Sequence, residues 1–232
     1  MLIALQILGG VAIGYVCATL LESYLHEHVT DAPKRTVDRW MRHPRLLKEV
    51  IESHYTHHTI HHVRTFRRDH VTQFQDDAEK AALDEELGRT PHGRAIIRSR
   101  YGASFTPWGW FAYTAPGLPF LAGVWLVLGP WGALGGLLPL VTPAVLAYFV
   151  HPYLHVPYAT ALAEAPRPIA WFLGTRYMRT LLRHHYVHHR YLQSNFNLLL
   201  GGDWMRGVAR KPTARDLAEM ARLGLPVDRG TS

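Results

Sequence analysis

Residues 1–28 read MLIALQILGGVAIGYVCATLLESYLHEH, and this stretch decides the fold class. Its first 21 residues carry no charged side chain, whereas two histidines and two glutamates occur in the seven that follow. An α-helix needs about 20 mostly apolar residues to cross the hydrocarbon core of a bilayer. The stretch therefore predicts a membrane-spanning helix that ends in a polar, histidine-containing region. A cleaved signal peptide is less favoured, because no Lys or Arg precedes the apolar run.

A second apolar stretch, residues 108–150, also contains no Asp, Glu, Lys or Arg. Its middle reads Leu128-Gly129-Pro130-Trp131-Gly132, a Gly- and Pro-containing sequence that favours a turn. We therefore expect two further spans, near 108–128 and 132–150. The predicted fold is an all-α integral membrane protein with about three transmembrane helices.

The charges predict how this protein lies in the membrane. All 25 Lys and Arg residues lie in 22–107 or beyond 150. Three spans place both regions on one side, which the positive-inside rule makes cytoplasmic. We expect a helical cap and the C-terminus in the cytoplasm, and the Ala- and Arg-rich composition favours a bacterial inner membrane. Because the basic residues are spread along the chain, nucleic acid is not an expected partner.

Thirteen of the 16 histidines fall into four clusters. Histidine is the commonest metal ligand, and burying so many imidazoles without binding partners would be costly. The single cysteine, Cys17, lies in the first predicted span, which argues against a thiolate site. The clusters are His26 and His28; His54, His57, His58, His61 and His62; His151 and His155; and His184, His185, His188 and His189.

The spacing within the clusters is helical. The second cluster occupies positions i, i+3, i+4, i+7 and i+8, and the last one repeats the H-x-x-H-H pattern. On an α-helix such positions share one face, so each helix can aim several ring nitrogens at one point. Scattered surface histidines would rarely give this pattern twice. The sequence therefore predicts a metal centre at the membrane surface.

The number and type of these residues restrict the kind of metal site. Imidazole suits zinc, copper, nickel and iron, but a structural zinc site uses four ligands and often cysteine. About ten imidazoles without a thiolate fit two five- or six-coordinate ions better. A zincin protease is excluded, because H-E-x-x-H starting at His26 requires a histidine where the chain has Thr30.

The order of the clusters resembles the fatty acid hydroxylase and sterol desaturase superfamily, membrane enzymes with a histidine-rich dimetal centre, and is nearest the fatty acid 2-hydroxylase branch. The likeness covers most of 22–207. It implies a membrane catalytic domain at 1–210, followed by a short C-terminal helix and tail at 211–232. The matching motifs are His54-Tyr-Thr-His57-His58-Thr-Ile-His61-His62, His151-Pro-Tyr-Leu-His155, His184-His185-Tyr-Val-His188-His189, Asn195-Phe-Asn197 and Asp203-Trp204-Met-Arg-Gly207.

The chain departs from this family in three respects. In its first box, Glu22 and His26 match, but Thr30 or Asp31 occupies the place of the second histidine. Asp31 as an oxygen ligand, His28 as the replacement, and a position open to water are three alternatives. Three connections between the boxes are also longer. No haem-binding or flavin domain is attached, so electrons would come from a separate ferredoxin- or cytochrome-type protein.

The resemblance implies an O2-dependent hydroxylase that holds two iron ions and acts on an unactivated C–H bond of a lipid or other amphiphile. Zinc can replace iron in such a protein during expression, so purified protein can contain zinc. The alternatives are a desaturase on the same scaffold and a non-enzymatic protein for membrane metal transport or storage. The implied ligands are His26, Asp31, His54, His58, His61, His62, His151, His155, His185, His188 and His189, with His58, His61, His62, His185, His188 and His189 at the catalytic centre. Glu22, His28, His57, His184 and Asp203 are expected to orient these ligands.

Overall fold

The computed structural model describes residues 1–62, 74–98 and 114–227, and these ranges contain helices and turns but no β-strand. The all-α prediction is therefore confirmed for this part of the chain. The α-helices are α1 (Leu2–Leu25), α2 (Lys34–Trp40), α3 (Lys48–His54), α4 (Asp77–Gly88), α5 (Pro91–Arg98), α6 (Leu118–Val145), α7 (Tyr158–Glu164), α8 (Arg167–Leu173), α9 (Arg176–Arg190), α10 (Gly202–Arg206) and α11 (Ala214–Arg222). Wider π-helical segments occupy His26–Thr30, Tyr55–His62 and Leu146–Val150, and tighter 3-10 turns occupy Ala115–Gly117 and His151–His155.

Two segments, Leu2–Thr30 and Ala115–His155, are long and apolar enough to cross a membrane. Large apolar side chains on their outer faces are uncovered, since Leu8 is 65% exposed and Leu126 is 87% exposed. A helix in the core of a water-soluble protein would have such side chains covered. The second predicted span, 108–128, begins with residues 108–113, which lie outside the described residues.

α6 is a helical hairpin rather than one straight rod. Its backbone leaves the helical region at Gly129, with φ 72° and ψ −173°, inside the predicted turn. Gly117 packs against the Leu140 side chain, which in a continuous helix would be about 34 Å away. Gly136 likewise faces Leu121. The arm before Gly129 therefore runs back along the arm after it.

Glycines allow α1 to pack closely against the second arm of the hairpin. A Cβ on Gly10 would lie 1.9 Å from the carbonyl oxygen of Gly132, and one on Gly14 would lie 2.6 Å from that of Gly136. Small residues at such contacts let two backbones approach each other. Because both partner numbers increase together, the two helices run in the same direction. His26 and His151 are consequently brought to the same end of the helix pair.

The irregular segment 194–201 crosses the end of α1 and is buried there. The carboxylate of Glu22 accepts hydrogen bonds from the backbone N–H groups of Leu198 and Leu199, each at 3.0 Å. The hydroxyl of Thr19 accepts one from Gly202 at 2.7 Å. Asn195 adopts a positive φ of 61° in this segment. These bonds satisfy backbone groups that a buried loop would otherwise leave unpaired.

The helices after the hairpin form a second layer around α9. The side chains of Met178, Leu181 and Val187 on α9 are fully buried. Met220 of α11 is fully buried in the same apolar core, and Tyr191 donates a hydrogen bond to Asp216 on α11. The short C-terminal helix predicted within 211–232 is therefore present as α11, and it packs against the element that carries the last histidine cluster.

Candidate metal centre

The first group of potential ligands combines four imidazoles and one carboxylate. One donor atom from each of its members lies within 4.8 Å of all the others. The Nε2 atom of His57 is 2.8 Å from those of both His26 and His62, and the Nε2 atoms of His62 and His188 are 3.1 Å apart. The members are His26, Asp31, His57, His62 and His188.

The second group consists of imidazoles alone: His61, His155, His185 and His189, whose ligand atoms also lie within 4.8 Å of one another. The Nε2 atoms of His155 and His185 are 3.0 Å apart, and those of His185 and His189 are 3.2 Å apart. The Nε2 atom of His151 lies 3.1 Å from that of His155, so His151 borders this group.

These nitrogen-to-nitrogen distances fit metal ligands. Two imidazole nitrogens bound at right angles to one ion, each about 2.1 Å from it, are about 3 Å apart. A neutral imidazole has only one N–H, and the Nε2 of His57 faces two other Nε2 atoms at 2.8 Å. A shared cation between the rings accounts for this convergence. Both groups therefore fit a bound metal ion.

The two groups are adjacent, because on each of two helical segments consecutive histidines belong to different groups. His61 and His189 belong to the second group, and their sequence neighbours His62 and His188 belong to the first. The ring centroids of His62 and His189 are 4.4 Å apart. Two potential metal-binding groups therefore lie side by side.

Two π-helical segments build the first group. In His26–Thr30, the N–H of Asp31 donates to the carbonyl of His26 at 2.8 Å, five residues earlier. The Oδ2 atom of Asp31 thereby comes to 3.2 Å from the Nε2 atom of His26. In Tyr55–His62, the same i, i+5 relation brings His57 to His62. π-helical turns of this kind occur frequently at functional sites.

The histidines of the second cluster consequently do not share one helical face as predicted, and they divide between the two groups. Eight of the eleven predicted ligands lie in the two groups, and His151 borders the second. His54 and His58 lie outside both groups, whereas His57, predicted only to orient ligands, lies inside the first. α-Helical spacing could not predict that His57 replaces His54 and His58 as a potential ligand, because the sequence contains no clear signal for a π-helical turn.

The structure locates the two residues proposed to replace the missing histidine of the first box, Asp31 and His28. Asp31 faces the first group, with a side chain that is 2% exposed. His28 points elsewhere: its side chain is 44% exposed, and its Nε2 atom lies 3.8 Å from Glu27. Among these two candidates, the carboxylate is the one that the π-helical turn carries to the other ligands.

Hydrogen bonds orient at least one ligand. The Nδ1–H of His188 donates to the carbonyl of Ser194 at 2.8 Å, which directs the Nε2 lone pair at the first group. The ring of Phe196 packs against those of His26 and His188, with centroids 5.6 and 5.4 Å away. No sequence pattern points to Ser194 or to a role for Phe196, although the motif Asn195-Phe-Asn197 lies in this segment.

Three of the residues predicted to orient ligands act through segment 194–201. Asp203 accepts hydrogen bonds from His184 Nε2 and from the backbone N–H of Asn197, each at 2.7 Å. Glu22 accepts from Leu198 and Leu199, as described above. In the described part of the chain these bonds fix the segment that supplies the Ser194 carbonyl, so their effect on the ligands is indirect.

Electrostatics favours metal-binding protonation states. Burial, followed by the neighbouring imidazoles, holds the pKa of His61, His185 and His189 well below the ordinary value of 6.5. Burial alone would raise the pKa of Asp31, but His57 and His62 and hydrogen bonds from His188 and His26 outweigh it, and the pKa lies well below its usual range. These three imidazoles are therefore neutral near pH 7, and Asp31 is a carboxylate.

Comparison of the chain with protein-family models, with curated proteins and with solved structures gives no match.

Proposed function

We propose that this protein is an O2-dependent membrane di-iron hydroxylase that acts on an unactivated C–H bond of a lipid or other amphiphile. The observation that carries the proposal is the pair of adjacent imidazole-rich groups at the shared end of two membrane-length helices. The resemblance of the histidine boxes to the fatty acid hydroxylase superfamily supports the same reaction class.

The donor set favours iron as the metal. It contains eight imidazoles, one carboxylate and no thiolate. Imidazole and carboxylate together suit non-haem iron, whereas structural zinc sites are closed by four ligands and often contain cysteine. Two groups that share neighbouring residues also exceed the requirement of a single zinc ion. Zinc remains a metal that these imidazoles can bind when iron is scarce.

The position of the centre suits an amphiphilic substrate. The uncovered apolar faces of α1 and α6 support contact with lipid. Both helices end at the metal groups, so a substrate with its apolar part in the bilayer would present the carbons near its polar end to them. The distribution of Lys and Arg supports a cytoplasmic position of this end.

The side chains of the protein would hold the ions and exclude water. When bound, two iron ions would supply the redox chemistry by which O2, two electrons, two protons and a C–H bond yield an alcohol and one water. Neutral imidazoles and Asp31 would hold the ions, and the Ser194 carbonyl would fix the tautomer of His188. His188 and Phe196 are at most 1% exposed, and the Phe196 ring packs against His26 and His188, so this side of the centre is shielded from water. The electrons would come from a separate one-electron carrier protein.

Metal content and isotope incorporation test this proposal. We would express the full chain anaerobically with iron, purify it in detergent and measure metals by elemental mass spectrometry. The expected value is about two irons per chain. The variant His43→Ala is the matched control, because His43 is exposed and outside the clusters.

The loaded protein would then be incubated with a bacterial lipid extract, a chemical reductant and 18O2. A lipid alcohol that carries 18O would support the hydroxylase. An O2-dependent alkene would identify the desaturase on the same scaffold instead. Two metals per chain with no O2-dependent product in any lipid class would contradict an oxygenase and favour metal transport or storage.

A further inference from the structure

The rings of His54 and His58 stack on each other and hydrogen-bond to Thr30 and Asp31, respectively. Neither histidine belongs to a ligand group. We propose that His58 is a positioning residue that holds Asp31 as a one-oxygen ligand, and that this makes the two metal positions chemically different. The inference rests on the proposed metal centre, but it requires neither O2 chemistry nor a particular substrate.

The two oxygens of Asp31 face different partners. The Oδ2 atom lies 3.2 Å from His26 Nε2 and 3.3 Å from His188 Nε2, among the nitrogens that converge in the first group. The Oδ1 atom lies 3.1 Å from His58 Nδ1 and 3.4 Å from His62 Nε2. The shorter of these two contacts is a hydrogen bond that His58 can donate from its Nδ1–H. Oδ2 is thus the oxygen directed at the metal position.

His58 is itself held in place by a stack of rings. The ring of His54 lies parallel to it within 14°, with centroids 5.0 Å apart. The Nδ1–H of His54 donates to the carbonyl of Thr30 at 3.0 Å, the residue before Asp31. The edge of Trp40 contacts His54 with centroids 6.3 Å apart. The stack is therefore tied to the same π-helical turn that places the carboxylate.

The expected consequence is a difference between the two positions. The first has four imidazoles and one anionic oxygen, whereas the second has imidazoles alone. A carboxylate is a harder ligand than imidazole and cancels one unit of the ion's charge. The first position should therefore bind the metal more tightly and stabilise the higher oxidation state. Hydrogen bonds to a ligating group set its orientation, and losing one typically weakens metal binding about 10- to 100-fold.

Mössbauer spectroscopy of the full chain loaded with 57Fe tests the inference without turnover. We expect two ferrous quadrupole doublets of equal area. His58→Ala should change one doublet only and weaken iron binding at that position about 10- to 100-fold in competition with a chelator. His58→Asn, whose Nδ2 amide stands close to the position of the histidine Nδ1–H and can still donate to Oδ1, should restore most of this affinity. Asp31→Asn should alter the same doublet, and His43→Ala should alter neither.

The unchanged doublet serves as the internal control for folding. If His58→Ala perturbs both doublets or neither, or if the Asn variant behaves like the Ala variant, the positioning role is overturned. His54→Ala provides a second, milder variant, and it should shift the same doublet in the same direction. Failure to bind two irons at all would overturn this inference together with the proposed function. Two distinct positions without O2-dependent product would overturn only the latter.

Discussion

Asp31 lies five residues after His26, and its Oδ2 atom is 3.2 Å from the Nε2 atom of His26. In a regular α-helix, residues separated by five positions point about 140° apart. The π-helical segment His26–Thr30 removes this difference, because its backbone bond joins Asp31 to His26 directly. The carboxylate therefore lies among the imidazoles of the first ligand group, which consequently contains an anion.

Two neighbouring histidines should behave differently when replaced. His57 lies in the first ligand group, with Nε2 2.8 Å from those of His26 and His62, whereas His58 contacts Asp31 through Nδ1. At saturating iron, His57→Ala should retain about one metal ion per chain and His58→Ala about two. Elemental mass spectrometry of the purified variants measures this. The reverse result would show that the helix 55–62 has α-helical rather than π-helical register.

The two groups should lose metal independently. His185 belongs to the second group and His188 to the first, although both lie on α9. Each single Ala variant should keep about one metal ion per chain, and the double variant should keep none. Circular dichroism at 222 nm checks that α9 remains folded. Loss of both ions in either single variant would contradict two separable positions.

The metal-free protein should lose stability as the pH falls below about 6.5. Burial holds the pKa of His61, His185 and His189 well below 6.5 in the folded chain, whereas the unfolded chain binds protons at the ordinary value. Stability is therefore complete above the unfolded pKa and decreases below it, by up to about 1.4 kcal/mol per pH unit for each histidine.

Urea unfolding of the metal-free protein in detergent, from pH 8 to pH 5, measures this slope. Metal-loaded protein is the comparison, because an ion that binds only the folded state raises its stability. The free energies of unfolding of the metal-loaded and metal-free protein should differ most near neutral pH. They should become similar as the pH falls, since protons compete with the metal for the same nitrogens. A flat profile for the metal-free protein would mean that these imidazoles are accessible to protons.

A methyl group on Gly10 should separate α1 from the hairpin. Its Cβ would lie 1.9 Å from the carbonyl oxygen of Gly132, which is backbone and cannot turn aside. Gly10→Ala should lower stability by about 1–3 kcal/mol, a typical cost of overpacking. Gly123→Ala is the matched control, because a Cβ there meets no atom within 4 Å. Thermal unfolding with metal content as a second readout compares them; equal stability would contradict the close packing.

Much of the fold and part of the site follow from local sequence patterns. Two stretches without charged side chains predict the apolar helices, and Gly129-Pro130 predicts the reversal of α6, because glycine readily adopts the positive φ that this turn requires. Helical spacing also predicts that His185 and His189 act together, since α9 is a regular α-helix. These features depend on neighbours within one or two turns.

The sequence by itself determined which side chains are available to bind metal and which helices carry them. Only the tertiary structure decided how they divide into two groups. His62 and His188 are 126 positions apart, yet their Nε2 atoms are 3.1 Å from each other. Local spacing cannot specify such a contact, because it joins helix 55–62 to α9, two elements that only the folded chain brings together. The π-helical turn at Tyr55–His62 places His57 rather than His58 in the first group. The one at His26–Thr30 brings Asp31 into that group as its fifth member.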